Sequence, residues 1–560
     1  AYTRRFTELK RAQKLLDYND LEHETIALLI DKTTRKPTPL AVELSHRFAE
    51  IMVDEYQDTN KAQDALFMAL ARPEGNLFMV GDVKQSIYGF RQAMPAIFTD
   101  RRDEYTPYNR DAEQFPAAIT LSNNFRSRKD VTETVNFLFR QLMMRSLGGV
   151  DYGATEQLEA TAAYPDDTRP TQWILVDRDA VAEQGLTDVQ AEARVIAARI
   201  HGMMADTTVT EDKKQRPMAY EDICILLRKR GDMPAFVKEL GRLGIPAAAD
   251  KGEGFLSTPE IRAALSLLRV VDNPLRAVEL TAVMLSPLYG FTPDDLAQLR
   301  ITYNKHMPLY SAVEQMATNE EYPDLAGRCR VLLGDLRRFR TLAVTMPADR
   351  LLETIYRDTG MEEIYAARGG GRQRVANLRR LDQIARGYEQ GEFRGLSAFV
   401  RYVDGLEEKG KDLEGADTLH RNGVRVMTVH GSKGLEFPVV FVARLGAGRG
   451  RDDNRQKLRF HATTGIGMKL VDEEAGEKRV PLPYAAVQSS RRLDDAAEEL
   501  RVWYVALTRA REKLILVHSL HHPLETLQTM AANLPSGEPL LEDTLIRAAT
   551  PGEMLLMADE

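Results

Sequence analysis

A short apolar run that ends in two adjacent acids is the feature that most constrains this sequence. Ile51–Val53 is followed directly by Asp54 and Glu55, a pattern typical of a buried strand that delivers carboxylates to the edge of a parallel sheet. One carboxylate at such an edge can hold Mg²⁺, and its neighbour can orient or deprotonate an attacking water. Taken alone, these residues favour the simpler interpretation of a strand followed by an acidic turn.

The next thirty residues predict a second strand with a polar group beyond its end. We expect a helix over Lys61–Ala71 and a strand over Leu77–Val80, followed by the sequence Gly-Asp-Val-Lys-Gln at 81–85. The strand–helix–strand order makes the two strands parallel, so that both following loops leave the same sheet edge. We therefore expect the acid pair and Gln85 to lie near one another.

The same loop carries two aromatic residues and a cation close together in sequence, namely Tyr88, Phe90 and Arg91. Such a group suits a surface on which bases stack and a phosphate is held. The competing interpretation is a pair of core aromatics beside a surface arginine. The nearby Gly-Asp-x-x-Gln pattern favours the first.

Composition limits the class of protein. The 560 residues are 43% apolar and 28% charged, which is ordinary for a globular chain of several domains. A net charge of −8 argues against nucleic-acid binding over the whole surface and requires a local groove instead. No apolar run is long enough to cross a membrane, and two cysteines, Cys224 and Cys329, predict reduced thiols in a cytoplasmic protein.

Periodicity divides the chain into α/β parts and one helical part. Strand patterns alternate with helices up to about residue 250, for example at Trp173–Val176 and Ile223–Leu227, and a further strand is expected at Ala118–Leu121. Between residues 258 and 415 strand signals nearly vanish. Helical patterns with breakers replace them, which predicts an all-helical insertion.

Three later segments carry candidate functional residues. Phe125 and Arg126 follow the expected strand, Thr428 and His430 lie in the stretch Val424–Phe437, and Arg509 ends a long helical pattern. Each has a simpler explanation, since an arginine near a helix C-terminus is favoured by the helix dipole alone. The Gly-Ser-Lys-Gly sequence at 431–434 has the wrong spacing for a phosphate-binding loop.

These five segments, in this order and spacing, resemble motifs II to VI of superfamily 1 DNA helicases of the UvrD/Rep type. Residues 75–85, 374–381 and 499–510 are more similar to the AddA group, the helicase–nuclease subunits of bacterial AddAB complexes, than to UvrD or Rep. The resemblance covers essentially the whole chain. It implies RecA-like parallel-sheet domains of the P-loop NTPase class, with a large all-helical insertion.

The resemblance also implies roles for individual residues. ATP and Mg²⁺ would be the cofactors, with Asp54 as the metal ligand and Glu55 as the base. Gln85 would sense the γ-phosphate, Arg126 and Arg509 would be arginine fingers, Phe125 would stack on adenine and Glu436 would meet the ribose. The residues expected to line the DNA track are Tyr88, Phe90, Arg91, Thr428 and His430.

The implied domain ranges follow from the motif positions. Residues 1–114 would be the later part of the first RecA-like domain, 115–256 and 417–535 the second, 257–416 the helical domain 2B, and 536–560 a tail toward a nuclease domain. The implied partners are single-stranded DNA, duplex DNA ends and an AddB-type subunit, in the repair of double-strand breaks by recombination.

Some family features are missing from the sequence. No G-x-x-x-x-G-K-[ST] phosphate loop occurs, no nuclease signature is found, and the chain does not begin with Met. We therefore expect a fragment of a longer protein that is inactive alone. Two alternatives stay open: a stand-alone UvrD-like helicase, and a non-catalytic DNA-binding or partner-docking module with the same fold.

Overall fold

The computed structural model describes residues 2–112, 114–165, 167–211, 213–249, 255–304, 306–391, 394–409, 413, 423–448, 456–472, 477–534 and 540–559. The chain forms two compact units. Unit 1 comprises Ala1–Ala247 with Val424–Glu560, and unit 2 comprises Ala248–Gly423.

The helices before residue 250 are Tyr2–Ala12 (α1), Tyr18–Leu29 (α2), Pro39–Ser45 (α3), Lys61–Leu70 (α4), Pro95–Glu104 (α5), Lys129–Leu142 (α6), Arg178–Glu183 (α7), Asp188–Asp206 (α8) and Met233–Arg242 (α9). Those of unit 2 are Pro259–Asp272 (α10), Ala277–Leu285 (α11), Pro293–Thr302 (α12), Leu309–Met316 (α13), Pro323–Ala343 (α14), Ala348–Thr359 (α15), Met361–Ala366 (α16), Gly371–Glu389 (α17) and Leu396–Glu408 (α18). The last four are Leu482–Leu507 (α19), Pro523–Asn533 (α20), Glu542–Arg547 (α21) and Pro551–Asp559 (α22).

The first nine strands are Ile51–Val53 (β1), Leu77–Met79 (β2), Thr106–Pro107 (β3), Ala117–Ala118 (β4), Asn123–Asn124 (β5), Glu159–Ala160 (β6), Gln172–Asp177 (β7), Thr208–Glu211 (β8) and Lys214–Pro217 (β9). The others are Ile223–Leu227 (β10), Ala247–Ala249 (β11), Val424–Thr428 (β12), Phe437–Val442 (β13), Leu458–His461 (β14), Gly465–Met468 (β15), Leu470–Asp472 (β16), Glu477–Arg479 (β17) and Ala510–Leu520 (β18).

The acid pair follows one strand of a small parallel sheet. β1 pairs with β2 in parallel, Ile51 opposite Leu77 and Val53 opposite Met79, with α4 as the crossover. Asn60 caps α4 through a reciprocal hydrogen-bonded pair with Gln63, which explains why the helix begins where it does. The predicted strand–helix–strand unit is therefore present, and both following loops leave one edge.

A larger sheet organises the rest of unit 1. Its six strands run in the order β11-β12-β10-β13-β18-β7, and the pairs of β10 with β12 and β13, and of β18 with β13 and β7, are parallel. All five residues of β10 are buried, as expected for a strand covered on both faces. α19 runs into β18, whose long apolar stretch packs beside it in one core.

From α10 to α18 the described elements of unit 2 are helices, and they bury their own core, which includes Leu267, Phe339, Ile355 and Phe399. The predicted fold class, α/β with parallel sheets and a large helical insertion, is confirmed. The strand expected at Ala118–Leu121 is wrong. Two-residue strands lie on either side of 119–122, because the chain pairs with β3 through β4 and with β6 through β5, so that no single strand runs across this stretch.

Both cysteines, Cys224 and Cys329, are buried and neither forms a disulfide, in agreement with the prediction of reduced thiols. Among the described residues, none of the helices is long and apolar enough to cross a membrane.

The imidazole of His518 on β18 is buried against two glycines. A Cβ at Gly552 would lie 2.7 Å from the ring and one at Gly446 would lie 3.0 Å from Nδ1. Neither ring nitrogen has a hydrogen-bond partner within the described part of the chain. Burial, together with the charge of Arg178, lowers the pKa of His518 to about 4.

We predict that His518 makes the stability of unit 1 sensitive to acid. The unfolded chain takes up the proton near pH 6.5 and the folded one only near pH 4, so stability falls as the pH drops between these values, by roughly 3 kcal/mol. In thermal unfolding, the melting temperature of His518→Leu should fall less between pH 6.5 and pH 4 than that of the unaltered protein. The control His201→Gln changes an exposed histidine, and its stability should fall with pH as much as that of the unaltered protein. Parallel pH profiles for His518→Leu and the unaltered protein would contradict the assignment.

Candidate active site and nucleic-acid interface

The acid pair lies at the turn that follows β1. The backbone N–H of Glu55 donates to Asp54 Oδ1 at 2.8 Å, and both residues are exposed. Glu55 has φ of 50°, in the left-handed region, which costs a non-glycine residue about 1–3 kcal/mol. Such strain is typical of functional turns, and here the fold maintains it through the contacts of the next residues.

Gln57 joins the two loops beyond β1 and β2. Its side-chain amide donates to Glu55 Oε2, and its Oε1 accepts from the backbone N–H of Asp82 at 3.0 Å. A Cβ at Gly81 would lie only 2.4 Å from that Oε1, so the glycine permits the approach. The prediction that Asp54, Glu55 and Gln85 share one edge thus has a physical basis in the buried Gln57.

Gln85 is held on both its side chain and its backbone. Its side-chain amide donates to Asp82 Oδ2 at 3.0 Å, and its carbonyl oxygen accepts from Lys433 Nζ at 2.9 Å. In the structure the predicted phosphate sensor is therefore bonded to Asp82.

Lys433 is the functional candidate that sequence reasoning missed. Its side chain is 6% exposed, and Nζ contacts the carboxylate of Asp58 and lies 3.3 Å from Glu55 Oε2. Burial raises the pKa of Asp58, and the charge of Lys433 opposes that rise. The only sequence signal was the Gly-Ser-Lys-Gly turn, which was rejected as a phosphate loop on its spacing.

Two arginines of unit 1 lie beyond the loops after β1 and β2 in sequence, and the charge of Glu55 acts on one of them, Arg509. Arg509 is buried, and its guanidinium donates to the carbonyl oxygens of Val505 at 2.9 Å and Leu435 at 3.0 Å. Arg126 is 68% exposed, with Nε 3.1 Å from Glu436 Oε2.

The segment after Arg126 is fixed to the segment after Arg509. Ser127 Oγ donates to the Ala510 carbonyl at 2.9 Å, and the Arg128 N–H donates to the Arg511 carbonyl at 2.7 Å. The two predicted arginine fingers are thereby brought together at the start of β18.

The charges of the two arginines and the nearby acids act on one another. Burial lowers the pKa of Arg509, and the positive charge of Arg126 lowers it further, whereas the charges of Glu55 and Glu436 raise it. Two guanidinium groups that repel each other beside an open surface form an arrangement that an anion would stabilise.

Phe125 and Glu436 lie next to this pair of arginines. Phe125 is 73% exposed and directly precedes Arg126 in the chain. Glu436 Oε2 pairs with Arg126, and its Oε1 lies 3.9 Å from Arg511 Nε.

A second cluster consists of aromatic rings. The centroid of His430 lies 6.4 Å from that of Tyr88 and 5.7 Å from that of Phe90, and the centroids of Tyr88 and Phe90 are 5.8 Å apart. The Arg91 guanidinium lies 5.2 Å from the Tyr88 centroid and 5.7 Å from that of Phe90. Phe90 is 67% exposed, so one face of the cluster is open.

The turn after β12 supports this cluster. Thr428 Oγ1 accepts from the Gly431 N–H at 3.1 Å, which shapes the turn in which His430 lies. Burial and the charge of Arg228 lower the pKa of His430. The cluster therefore combines an open aromatic face with the cation of Arg91, a combination that suits stacked bases.

The residues fit a nucleotide with a divalent cation. Asp54 is an exposed carboxylate, and the charge of its neighbour Glu55 acts on Arg509. Within the described ranges no cluster of three or more His, Cys, Asp or Glu residues could hold a metal by itself. Mg²⁺ that keeps waters and phosphate oxygens as ligands needs only one or two protein carboxylates.

Comparisons with known proteins agree with this geometry. The UvrD/REP helicase N-terminal domain model matches residues 1–106, and the UvrD-like helicase C-terminal domain model matches residues 119–330 and 336–521. Three relatives, each named as the A subunit of an ATP-dependent helicase/nuclease, are 37% identical over 97% of this chain in Bacillus velezensis, 38% over 97% in Desulforamulus reducens and 37% over 93% in Geobacillus kaustophilus.

The chain spans about half the length of these relatives, 45%, 46% and 44% respectively. The two helicase models together cover most of its residues, in the order that the fold requires. The chain therefore belongs to the UvrD-like helicase family.

Proposed function

We propose that this chain is the ATP-dependent motor core of a DNA helicase–nuclease that processes double-strand ends for recombinational repair. The observation that supports this most is the shared electrostatic environment of Arg509 with Arg126 and Glu55. In a triphosphate with bound Mg²⁺, the metal ion has the charge that suits the acids, and the phosphates have the charge that suits the arginines.

In this proposal each residue around the arginine pair has a role. Asp54 binds Mg²⁺, Glu55 orients the attacking water, and Gln85 leaves Asp82 to contact the γ-phosphate. Arg126 and Arg509 stabilise the charge that develops there, a contribution of about 10³–10⁵ in rate in other phosphoryl-transfer enzymes. Phe125 stacks on adenine and Glu436, released from Arg126, meets the ribose.

The aromatic cluster is the proposed track for single-stranded DNA. Bases stack on Tyr88 and Phe90, Arg91 holds a phosphate, and Thr428 and His430 line the adjoining surface. Because Lys433 contacts Glu55 and lies 5.1 Å from the Tyr88 ring, events at the nucleotide and at the DNA are physically connected. Alternate binding and release of DNA during the ATP cycle would give directed movement.

The wider assignments also belong to the proposal. The ranges 1–114, 115–256 with 417–535, and 257–416 correspond to domains 1A, 2A and 2B, followed by the tail 536–560; their limits at 257, 416–417 and 535–536 adjoin or fall within stretches outside the described residues. The proposed partners are duplex DNA ends and a subunit of the AddB type, in the cytoplasm.

We further propose that the 560-residue chain alone neither hydrolyses ATP appreciably nor cuts DNA, since its sequence contains no phosphate loop and no recognised nuclease signature. Strong ATP turnover by the isolated chain with single-stranded DNA would contradict this.

Glu55→Gln should abolish most ATP hydrolysis by the full product of the gene that encodes these residues. Loss of a general base lowers kcat by about 10²–10⁴, while KM for ATP changes little because binding contacts remain. Steady-state ATPase assays with single-stranded DNA measure both. Glu50→Gln, the same change at an exposed residue before β1, is the matched control. Full activity of Glu55→Gln would remove Glu55 from the role of base, whereas no ATP hydrolysis by the unaltered gene product would favour a non-catalytic DNA-binding or docking module.

Phe90→Ala should weaken binding of single-stranded DNA. One base–aromatic stack is worth about 1–3 kcal/mol, which corresponds to roughly a 5- to 150-fold rise in Kd. Fluorescence anisotropy with a labelled oligonucleotide at fixed salt measures it. Phe460→Ala removes another exposed aromatic ring, on β14, and should leave Kd unchanged. Equal Kd values for both variants would remove Phe90 from the track.

A further inference from the structure

Helix α19 connects the two clusters described above. It spans 26 residues, Leu482–Leu507, and Arg509 follows two residues after its end. Side chains near its middle contact the loop that carries Tyr88 and Phe90. Because an α-helix rises about 1.5 Å per residue, position 498 lies roughly 14 Å from the end of the helix at position 507.

Arg501 makes the first of these contacts. Its guanidinium is buried and donates to the carbonyl oxygens of Ser86 at 2.8 Å and Gly148 at 3.3 Å. Burial lowers the pKa of Arg501, and the negative charge of Glu498 opposes that change. A buried cation bonded to carbonyl groups is costly, so packing alone gives no reason for an arginine here.

Glu498 makes the second contact, one turn earlier on the same helix. Its carboxylate lies so close to Gly89 that a Cβ there would be 2.6 Å from Oε2. The Gly89 N–H stabilises the ionised carboxylate, although burial raises the pKa of Glu498 overall. Gly89 is the residue between the two aromatic rings, so Glu498 touches the peptide from which both rings project.

We infer that Glu498 and Arg501 are positioning residues that transmit DNA occupancy of the aromatic cluster to Arg509. The inference rests on the proposed function. A base stacked on Tyr88 or Phe90 favours one position of the peptide at Gly89. Through Glu498 and Arg501 that position biases the placement of α19, and with it the guanidinium that follows the helix.

The contact predicts an effect on coupling and not on binding. In the full gene product, Glu498→Ala should lower the ratio of DNA-stimulated to unstimulated kcat by about 5- to 150-fold, the usual range of coupling between two sites. KM for ATP and Kd for single-stranded DNA should stay within about twofold, since no ligand contact is lost. Glu498→Gln keeps an acceptor oxygen beside Gly89 and should restore much of the ratio.

Asp494→Ala is the matched control. It removes a carboxylate one turn earlier on α19, where Asp494 is exposed and pairs with His461 at 2.9 Å, and it leaves the contacts of Glu498 and Arg501 with the Ser86–Arg91 loop in place. Its stimulation ratio should equal that of the unaltered protein. Arg501→Lys, which keeps the charge but has one nitrogen in place of three, gives the same comparison if Glu498→Ala does not fold.

The outcomes are distinguishable. Absence of DNA-stimulated ATPase activity in the unaltered full gene product would overturn the proposed function itself. If DNA stimulates the ATPase activity of Glu498→Ala as much as that of the unaltered protein, only this inference is overturned. The same holds for Arg501→Lys if Glu498→Ala does not fold. A variant that loses stimulation because its Kd for DNA rises in proportion would also overturn it, since the residue would then act in binding.

Discussion

The ammonium group of Lys433 is the interaction on which the arrangement of the site depends. It contacts Asp58 and Glu55, donates to the Gln85 carbonyl at 2.9 Å and lies 5.1 Å from the centroid of the Tyr88 ring. These groups come from the loops after β1 and β2, whereas Lys433 follows β12. A single buried cation thus joins two parts of the chain that are far apart in sequence, and it is satisfied by carboxylate and carbonyl groups together.

The short turn around Lys433 carries residues that contact both the aromatic cluster and the arginine pair. His430 reaches the aromatic cluster, the carbonyl of Leu435 holds Arg509, and Glu436 holds Arg126. Gly434, with φ of +82°, allows the backbone to reverse between β12 and β13 without the cost that a side chain would bring. Because both strands are buried in the large sheet, the turn is fixed at both ends and its side chains are pre-positioned.

Local patterns predicted the acid pair, the parallel unit and the helical insertion, because strand and helix periodicities and turn residues are visible over short windows. Lys433, Gln57 and Glu498 could not be found this way. The Lys433–Asp58 contact spans 375 positions, and the value of a buried polar group depends on partners that only the fold supplies. The expected strand at Ala118–Leu121 failed for a related reason, since the chain changes its strand partner there from β3 to β6, and only the fold supplies those partners.

The most direct test is a crystal structure of the full gene product with Mg²⁺ and a non-hydrolysable ATP analogue. The account predicts that Arg126 has left Glu436 and that both guanidinium groups, of Arg126 and Arg509, contact the γ-phosphate opposite Asp54 and Glu55. A bound analogue whose γ-phosphate touches neither arginine, with Arg126 still paired to Glu436, would contradict the account.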